Sequence, residues 1–261
     1  MFNSLLVSAI TCVALSLPAI SSASSQMSDS SFASDLGNGY KSFYSREQLP
    51  WLGKTLLAGG ILANTDLDQE IQDSYNRHIL SETTNDFADN AKVIGDPETT
   101  LLYFGLAAVN RLACERDCGA VPEWGDRTAQ ALLVGLPAVW ASQAILGGAR
   151  PHHDEGSGWS IFELKREHAV SGHAFTGAVP FLTAAQMTDN YYAKATFYAL
   201  SPLTALSRVN DQKHYFSQAL MGWLYAAKVT EVINSDLQPE DTVVLPYADE
   251  DTVLLSVIKP F

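Results

Sequence analysis

From Trp51 onward, the apolar residues of this chain come in helical segments broken by glycine, proline and polar turns, and strict alternation is scarce before the C-terminal tail. Sheet proteins show that alternation, so the pattern predicts an all-α helical bundle. The predicted helices are Leu52–Ala63, Leu67–Arg77, Thr99–Ala113, Thr128–Gly147, Gly172–Met187, Tyr191–Leu206 and Gln212–Ile233. The tail segments Thr242–Tyr247 and Thr252–Ile258 could instead pair as a short hairpin.

Length and hydropathy favour one soluble domain. A chain of 261 residues with 47% hydrophobic content can bury one sizeable core. We expect the helical domain to span residues 40–235, followed by a tail over residues 236–261. The uncharged segment Ala129–Ala149 approaches the roughly 20 residues needed to cross a bilayer, but it contains polar residues and a proline. Mean hydropathy is +0.01, which favours a soluble bundle over a polytopic membrane enzyme.

The net charge of −13 limits the possible partners, because 16 basic residues face 29 acidic ones. It disfavours nucleic acid and anionic membrane surfaces as electrostatic partners. An anionic substrate would therefore have to be held by a local cluster of positive charge.

The N-terminus is typical of an exported protein. Leu5–Ile20 is nearly continuous in apolar and small residues, and Ser21-Ser22-Ala23 follows as a small-residue cleavage site, which predicts a signal peptide over residues 1–23. The expected location is periplasmic or secreted. Because a positively charged stretch is missing at the start, an uncleaved membrane anchor is the alternative. Residues 24–39 are serine-rich, and we predict a flexible lead-in there.

Two cysteines would remain after the signal peptide is removed, Cys114 and Cys118. In an export compartment they could form a disulfide. Residues four apart on a helix have Cβ atoms about 5–6 Å apart, farther than the roughly 3.5–4.5 Å of a disulfide. A bond therefore requires a loop over Glu115–Gly125; two unpaired thiols are the alternative.

Three short segments carry an unusual set of polar groups for a chain with so few charges. They are Gln143 to Pro151, Ser171-Gly172-His173, and Ser207-Arg208 followed by His214. Guanidinium forks and backbone N–H groups can hold the three equatorial oxygens of a phosphoryl group in transfer, while one histidine attacks and another protonates the leaving oxygen. The segments therefore indicate phosphoryl transfer.

The order and spacing of these segments resemble the type 2 phosphatidic acid phosphatase superfamily, which includes class A acid phosphatases, lipid phosphatases and vanadium haloperoxidases. Its motifs are K-x6-R-P, P-S-G-H and S-R-x5-H-x3-D. The chain differs from them at Gln143, Val170 and Gln218, which replace the lysine, the proline and the aspartate. The resemblance covers roughly residues 93 to 232 and implies a helical bundle of the acid phosphatase and haloperoxidase type.

The resemblance also implies a role for each motif residue. His214 would be the nucleophile that forms a phosphohistidine, and His173 would protonate the leaving oxygen. Gln218 would stand for the aspartate that orients the nucleophile, without its charge, so we expect a slower enzyme or one that uses Asp211 instead. The phosphate-binding residues would be Gln143, Arg150, Ser171, Gly172 and Arg208, with no metal or other cofactor.

Spacing predicts how the motifs lie on their helices. Gln143 and Arg150 are two turns apart and would share a face if the helix continued to Pro151. Ser171 is a good N-cap for a helix that begins at Gly172. Ser207-Arg208 would follow a helix ending near Leu206, and a turn would then lead to the helix carrying His214 and Gln218.

Three functions remain open at this stage. The first is a metal-independent phosphatase acting on phosphate monoesters or on lipid phosphates presented at a membrane surface. The second is a weak or inactive family member that binds phosphate, and the third is a vanadate-dependent haloperoxidase. Trp159, Phe162 and Tyr215 are candidate apolar pocket walls, and His152, His153 and His168 add imidazoles near the expected site.

Overall fold

The computed structural model describes residues 31–113, 119–153, 156–163, 168–237, 243–249 and 252–258. The predicted signal peptide and both cysteines of the expected pair lie outside these ranges. The described part of the chain is predominantly helical, which confirms the all-α prediction.

The α-helices follow one another along the chain as α1 (Phe32–Phe43), α2 (Leu49–Ala63), α3 (Leu67–His78), α4 (Glu82–Ala91), α5 (Pro97–Ala108), α6 (Ala120–Leu146), α7 (Gly172–Met187), α8 (Tyr191–Leu200), α9 (Leu203–Asn210) and α10 (Phe216–Ile233). Short 3-10 turns occupy Arg46–Gln48, Lys92–Gly95, Pro151–His153 and Ser235–Leu237, and one π-helical turn occupies Val109–Ala113. Strands β1 (Val243–Asp249) and β2 (Thr252–Ile258) pair antiparallel from Val243 opposite Ile258 to Asp249 opposite Thr252, which confirms the predicted hairpin.

Helices α6, α7 and α10 pack against one another and form the centre of the bundle. Their buried side chains make up much of the core, including Leu132 and Val139 from α6, Phe175 and Leu182 from α7, and Met221 and Val229 from α10. The other helices surround this trio: α1 and α5 pack on α6, α8 and α9 on α7, and α2 on α10. The ends of the central helices therefore meet in a buried region.

Helix α1 overturns part of the predicted flexible lead-in, which is wrong over residues 32–39. Ser31 caps the helix by accepting a hydrogen bond from the Ser34 amide. The phenol of Tyr40 then donates to the carbonyl of Leu133 at 2.7 Å. That carbonyl lies four residues before Pro137, which has no N–H to offer it. Helix α1 is thus attached to α6 at a backbone carbonyl that the proline of α6 leaves without its helical donor.

The bounds of α6 also differ from those predicted. It begins at Ala120, eight residues before the predicted start and inside the loop expected over Glu115–Gly125, and it ends at Leu146, one residue before the predicted end. Gly147 and Gly148 have φ angles of 72° and 106°. These conformations suit glycine and stop the helix. Arg150 is therefore on a loop, and the condition under which it would share a helical face with Gln143 is not met.

Two further predictions were wrong about helix ends. The segment Tyr191–Leu206 contains two helices, because the chain turns at Ser201-Pro202 between α8 and α9. Ser207 and Arg208 consequently lie within α9 instead of following a helix. Helix α4 was not predicted, since its sequence is polar and only two of its residues, Ala88 and Ala91, are buried. The predicted turn between Arg208 and His214 is confirmed, but α10 starts at Phe216 and not at the predicted Gln212.

By length and composition, α6 could cross a membrane, and it is the one helix among the described residues that meets this criterion. Its contacts with α1, α5, α7 and α10 are those of a core helix. A buried core helix and a membrane span satisfy the same criterion, so α6 is weak support for a membrane location.

Candidate active site

The first motif lies at the C-terminal end of α6 and in the loop after it. The side-chain amide of Gln143 donates from Nε2 to the carbonyl of Val170 at 2.7 Å. Arg150 is partly buried, and its Nε has no hydrogen-bond partner among the described residues. Gln143 thus supports the turn that precedes α7, while the Arg150 Nε is a buried donor without a partner among the described residues.

The second motif forms the N-terminus of α7 as predicted. Ser171 is fully buried and its hydroxyl accepts a hydrogen bond from the Ala174 amide at 3.2 Å. The Ser171 amide donates to the backbone carbonyl of Gln218 at 2.9 Å. This close approach requires Gly222 on α10, because a Cβ there would lie 2.3 Å from the Ser171 carbonyl oxygen. The turn at Ser171-Gly172 is therefore pressed against α10.

The third motif spans the end of α9, a tight turn and the start of α10. The backbone amides of Lys213 and His214 both donate to the Arg208 carbonyl, at 3.0 and 3.1 Å. Gln212 has a positive φ of 53°, which lets the chain reverse over so few residues. The turn brings His214 close to Arg208, although residues six apart would not share a face of one continuous helix. Ser207 is buried, and its hydroxyl donates to the Thr204 carbonyl of its own helix.

The three motifs are joined pairwise by hydrogen bonds. Gln143 of the first bonds to Val170 of the second, and Ser171 of the second bonds to Gln218 of the third. The third bond closes the set, since Gln218 Nε2 donates to the carbonyl of Ala149 at 2.8 Å. Two of these bonds use the side-chain amides of the residues that depart from the family motifs.

The surroundings of Gln218 determine which nitrogen of His214 carries its proton. Gln218 is fully buried at the third position of α10, where its Oε1 accepts from the Tyr215 amide at 3.1 Å. Because Tyr215 needs an acceptor and the Ala149 carbonyl needs a donor, the amide cannot be reversed. His214 Nδ1, 3.0 Å from Oε1, must then donate its hydrogen. The lone pair of the ring is therefore on Nε2.

Burial also keeps His214 neutral. The side chain is 5% exposed. This burial, together with the positive charges of Arg208 and Arg150, lowers the pKa of His214 from 6.5 to about 3, although the bond to Gln218 acts in the opposite direction. A neutral ring with a free lone pair is the form in which a histidine can act as a nucleophile.

Arg150 and Arg208 supply local positive charge in an acidic protein. Each has a buried Nε without a partner among the described residues. Burial lowers the pKa of Arg208, but a guanidinium stays charged in proteins. Arg208 also lies 3.5 Å from Asp211, so this carboxylate pairs with the arginine. Asp211 was the alternative partner expected for His214, but the hydrogen bond that the structure describes for His214 Nδ1 goes to Gln218. Unsatisfied buried N–H donors of this kind suit an oxyanion.

His173, in the first turn of α7, is more accessible than His214. Its Nε2 lies 3.3 Å from Oδ1 of Asp96, and its side chain is 40% exposed. Burial lowers the pKa of His173, Arg208 and Arg150 lower it further, and Asp96 opposes them. Sequence reasoning missed Asp96, because an aspartate before Pro97 at the start of a helix is typical of a capping residue.

A second carboxylate missed from the sequence is Asp68 on α3. It is fully buried, and burial raises its pKa, while hydrogen bonds from Ser217 lower it. Asp68 accepts from the Ser217 backbone amide at 2.9 Å and from the Ser217 hydroxyl. Its negative charge thus lies at the N-terminus of α10, where the helix dipole favours it.

The remaining sequence candidates lie around this centre. The His168 and His214 rings meet edge to face, 6.1 Å apart, and His152 Nδ1 lies 2.9 Å from the Gln212 carbonyl. The three proposed pocket walls differ in environment. Phe162 is 70% exposed, Tyr215 is buried and donates to Gln69, and Trp159 packs on Gly60. The side chain of His153 lies outside the described residues.

Within the described ranges, no group of three or more histidine, cysteine, aspartate or glutamate side chains could hold a metal ion.

Comparison with known proteins places this arrangement in a family. Residues 129–238 match the model of the PAP2 superfamily, and this range contains all three motifs. No curated protein and no solved structure gives a significant match. A match to this superfamily indicates activity of the phosphatase or phosphotransferase type in general. Through residues 129–238, the chain belongs to the type 2 phosphatidic acid phosphatase (PAP2) superfamily.

Proposed function

We propose that this protein is a metal-independent phosphatase that hydrolyses phosphate monoesters through a phosphohistidine at His214. The observation that carries the proposal is that a neutral His214, with its lone pair on Nε2, lies within the electrostatic reach of Arg150 and Arg208. The buried Nε atoms of these two arginines have no hydrogen-bond partner among the described residues. A nucleophile and unfilled oxyanion donors are the two parts that phosphoryl transfer requires.

In the first step, the lone pair of His214 Nε2 attacks phosphorus. The bond from phosphorus to the leaving oxygen breaks, and that oxygen takes a proton from His173. Arg150, Arg208 and the free N–H groups at the start of α7 hold the three equatorial oxygens. In the second step, water attacks phosphorus and gives a proton to His173 while the P–N bond breaks, which releases inorganic phosphate.

Gln218 makes this enzyme differ from one with a carboxylate at the same position. Its carbonyl orients the His214 ring and fixes the tautomer, so the lone pair points away from the amide. The amide brings no negative charge to stabilise the imidazolium that forms during attack. We therefore propose slower turnover than in relatives that keep the aspartate.

The substrate class is part of the same proposal. A monoester dianion fits two guanidinium groups whatever its leaving group, so small soluble esters and lipid phosphates at a membrane surface are both candidates. The apolar segment at residues 5–20 supports export to the periplasm or the medium, with membrane anchoring as the alternative.

One observation favours a second candidate, an inactive phosphate-binding protein. Gln143 and Gln218 both use their amides to hold backbone carbonyls, as expected if these positions have become structural. The two candidates share the arginines and differ only in turnover.

The test is phosphate release by the purified protein, without added metal, from p-nitrophenyl phosphate and from a short-chain phosphatidic acid. His214→Asn should abolish release from both, whereas His78→Asn, an exposed position on α3, should not change it. Rapid quenching should trap phosphate on Nε2 of His214 and not on Nδ1, because Nδ1 is bonded to Gln218.

Each outcome has a meaning. Release that survives His214→Asn would refute the histidine nucleophile. A folded protein that binds phosphate or vanadate without turnover would establish the second candidate, and halide oxidation in the presence of vanadate would establish the haloperoxidase function. The preferred substrate would separate a soluble phosphatase from a lipid phosphatase.

A further inference from the structure

Asp96 begins α5 but does not behave as a capping residue. Aspartate at this position usually accepts hydrogen bonds from the free N–H groups of the first turn. In this structure it makes no such bond. Its Oδ1 instead lies 3.3 Å from Nε2 of His173. The carboxylate thus contacts the histidine of another helix.

The backbone before Asp96 is built for this contact. Gly95 packs so tightly on α7 that a Cβ there would lie 2.6 Å from the His173 carbonyl oxygen. The Thr176 hydroxyl donates to the Gly95 carbonyl at 2.8 Å, and Thr204 of α9 also packs closely on the glycine. The turn before α5 is therefore held against the first turn of α7.

The charges that act on His173 come from three different elements. Arg208 on α9 and Arg150 on the loop after α6 both oppose a proton on the ring, and Asp96 favours one. A general acid must carry a proton when substrate is bound. Because the two arginines that would bind phosphate both oppose a proton on His173, the ring requires a nearby negative charge to keep its proton.

We propose that Asp96 is a positioning residue for the general acid, orienting the His173 ring and holding its proton on Nε2. The inference rests on the proposed phosphatase function and adds to it a residue outside the motifs. At 3.3 Å the contact is longer than the roughly 2.7–2.9 Å of a tight charge-assisted bond, so the proton is held but remains transferable. When the P–O bond breaks, the proton moves from His173 Nε2 to the leaving oxygen, and the neutral ring then receives one from water.

Two neighbouring variants test this role. Asp96→Asn removes the charge and keeps a residue suited to start α5. Glu98→Gln removes the same charge from an exposed position two residues later and is the matched control. Two leaving groups show whether His173 acts as a general acid. p-Nitrophenolate is stable enough to leave without a proton, whereas an alkoxide must be protonated as it leaves.

For Asp96→Asn we expect kcat on an alkyl phosphate to fall about tenfold or more and kcat on p-nitrophenyl phosphate to change less than about twofold. The alkaline limb of the alkyl-phosphate pH profile should move to lower pH. Histidine NMR, assigned with His173→Gln, should show His173 titrating at lower pH in Asp96→Asn and unchanged in Glu98→Gln.

An equal loss on both substrates, or an unchanged His173 titration, would overturn the role of Asp96. A wild-type protein with no turnover would refute the phosphatase proposal instead, and the NMR titration would still decide whether Asp96 holds the proton of His173.

Discussion

The buried, neutral His214 should make the stability of this protein depend on pH in a way that one substitution removes. The folded-state pKa of about 3 lies below the ordinary value of 6.5, so the folded chain binds fewer protons at this residue than the unfolded chain. Stability must therefore fall as the pH drops below 6.5 and stop falling near 3. The perturbation we choose is His214→Asn, whose amide nitrogen can replace Nδ1 as the donor to Gln218.

The magnitude follows from the two pKa values. Between pH 7.5 and 5.5 the unfolded chain takes up most of one proton at residue 214 and the folded chain takes up almost none. Linkage converts this difference into a loss of about 1.4 kcal/mol in the free energy of unfolding. The lower limit of pH 5.5 stays above the isoelectric point of about 4.7, where solubility is poorest.

The assay is urea denaturation at pH 7.5, 6.5 and 5.5, followed by far-UV circular dichroism. Other groups also titrate, including His173 and Asp68, whose pKa values are lowered and raised respectively. They remain in both proteins and cancel in the difference. The wild type should lose about 1.4 kcal/mol more than His214→Asn. His78→Asn, at an exposed position, should keep the wild-type slope.

A variant His214→Asn that retained the full pH slope would refute this reasoning. It would mean that the pKa of His214 in the folded state is close to its ordinary value of 6.5, so that burial does not hold the ring neutral below that pH. Such a result would count against the stability argument and against the assigned burial of the ring.

Three further changes have expected outcomes. Gln218→Glu would set a buried oxygen against the Ala149 carbonyl, and we expect urea denaturation to show a loss of about 3 kcal/mol; wild-type stability would contradict the assigned amide orientation. Tyr40→Phe should cost about 1–2 kcal/mol because the Leu133 carbonyl loses its donor, and an unchanged melting curve would show that water replaces the phenol. Gly222→Ala should lower both the melting temperature and kcat, since the added methyl would lie 2.3 Å from the Ser171 carbonyl oxygen in the turn before α7; wild-type stability and activity would show that α10 can shift without cost.

The sequence predicted the central helices well because their signals are local. The serine before Gly172 is a capping residue, and the run that follows is apolar, so the start of α7 was correct to the residue. The turn between Arg208 and His214 followed from the poor helical spacing of the pair. The C-terminal hairpin followed from two alternating segments around an acidic turn.

What the sequence could not predict depends on contacts between distant segments. Helix α1 lies in a serine-rich stretch and is bonded through Tyr40 to a carbonyl about 90 residues away, a partner that no local pattern encodes. Gln218 was read as a weakened aspartate. In the structure it is also a capping residue of α10, because its Oε1 accepts from the Tyr215 amide. Its Nε2 donates to the carbonyl of Ala149, which is 69 residues away. Asp68 and Asp96 were missed because each is unremarkable within its own helix.

The bond from Tyr40 to the Leu133 carbonyl of α6 has a consequence for how this protein can be divided into fragments. The family match begins at residue 129, after α1, α3 and the turn before α5. Yet Tyr40, Asp68 and Asp96 from those earlier elements bond to α6, to the start of α10 and to His173. A fragment cut at the edges of detectable similarity would keep every motif and lose the parts that hold them in place. We therefore expect that residues 129–238 alone would not fold as an autonomous unit.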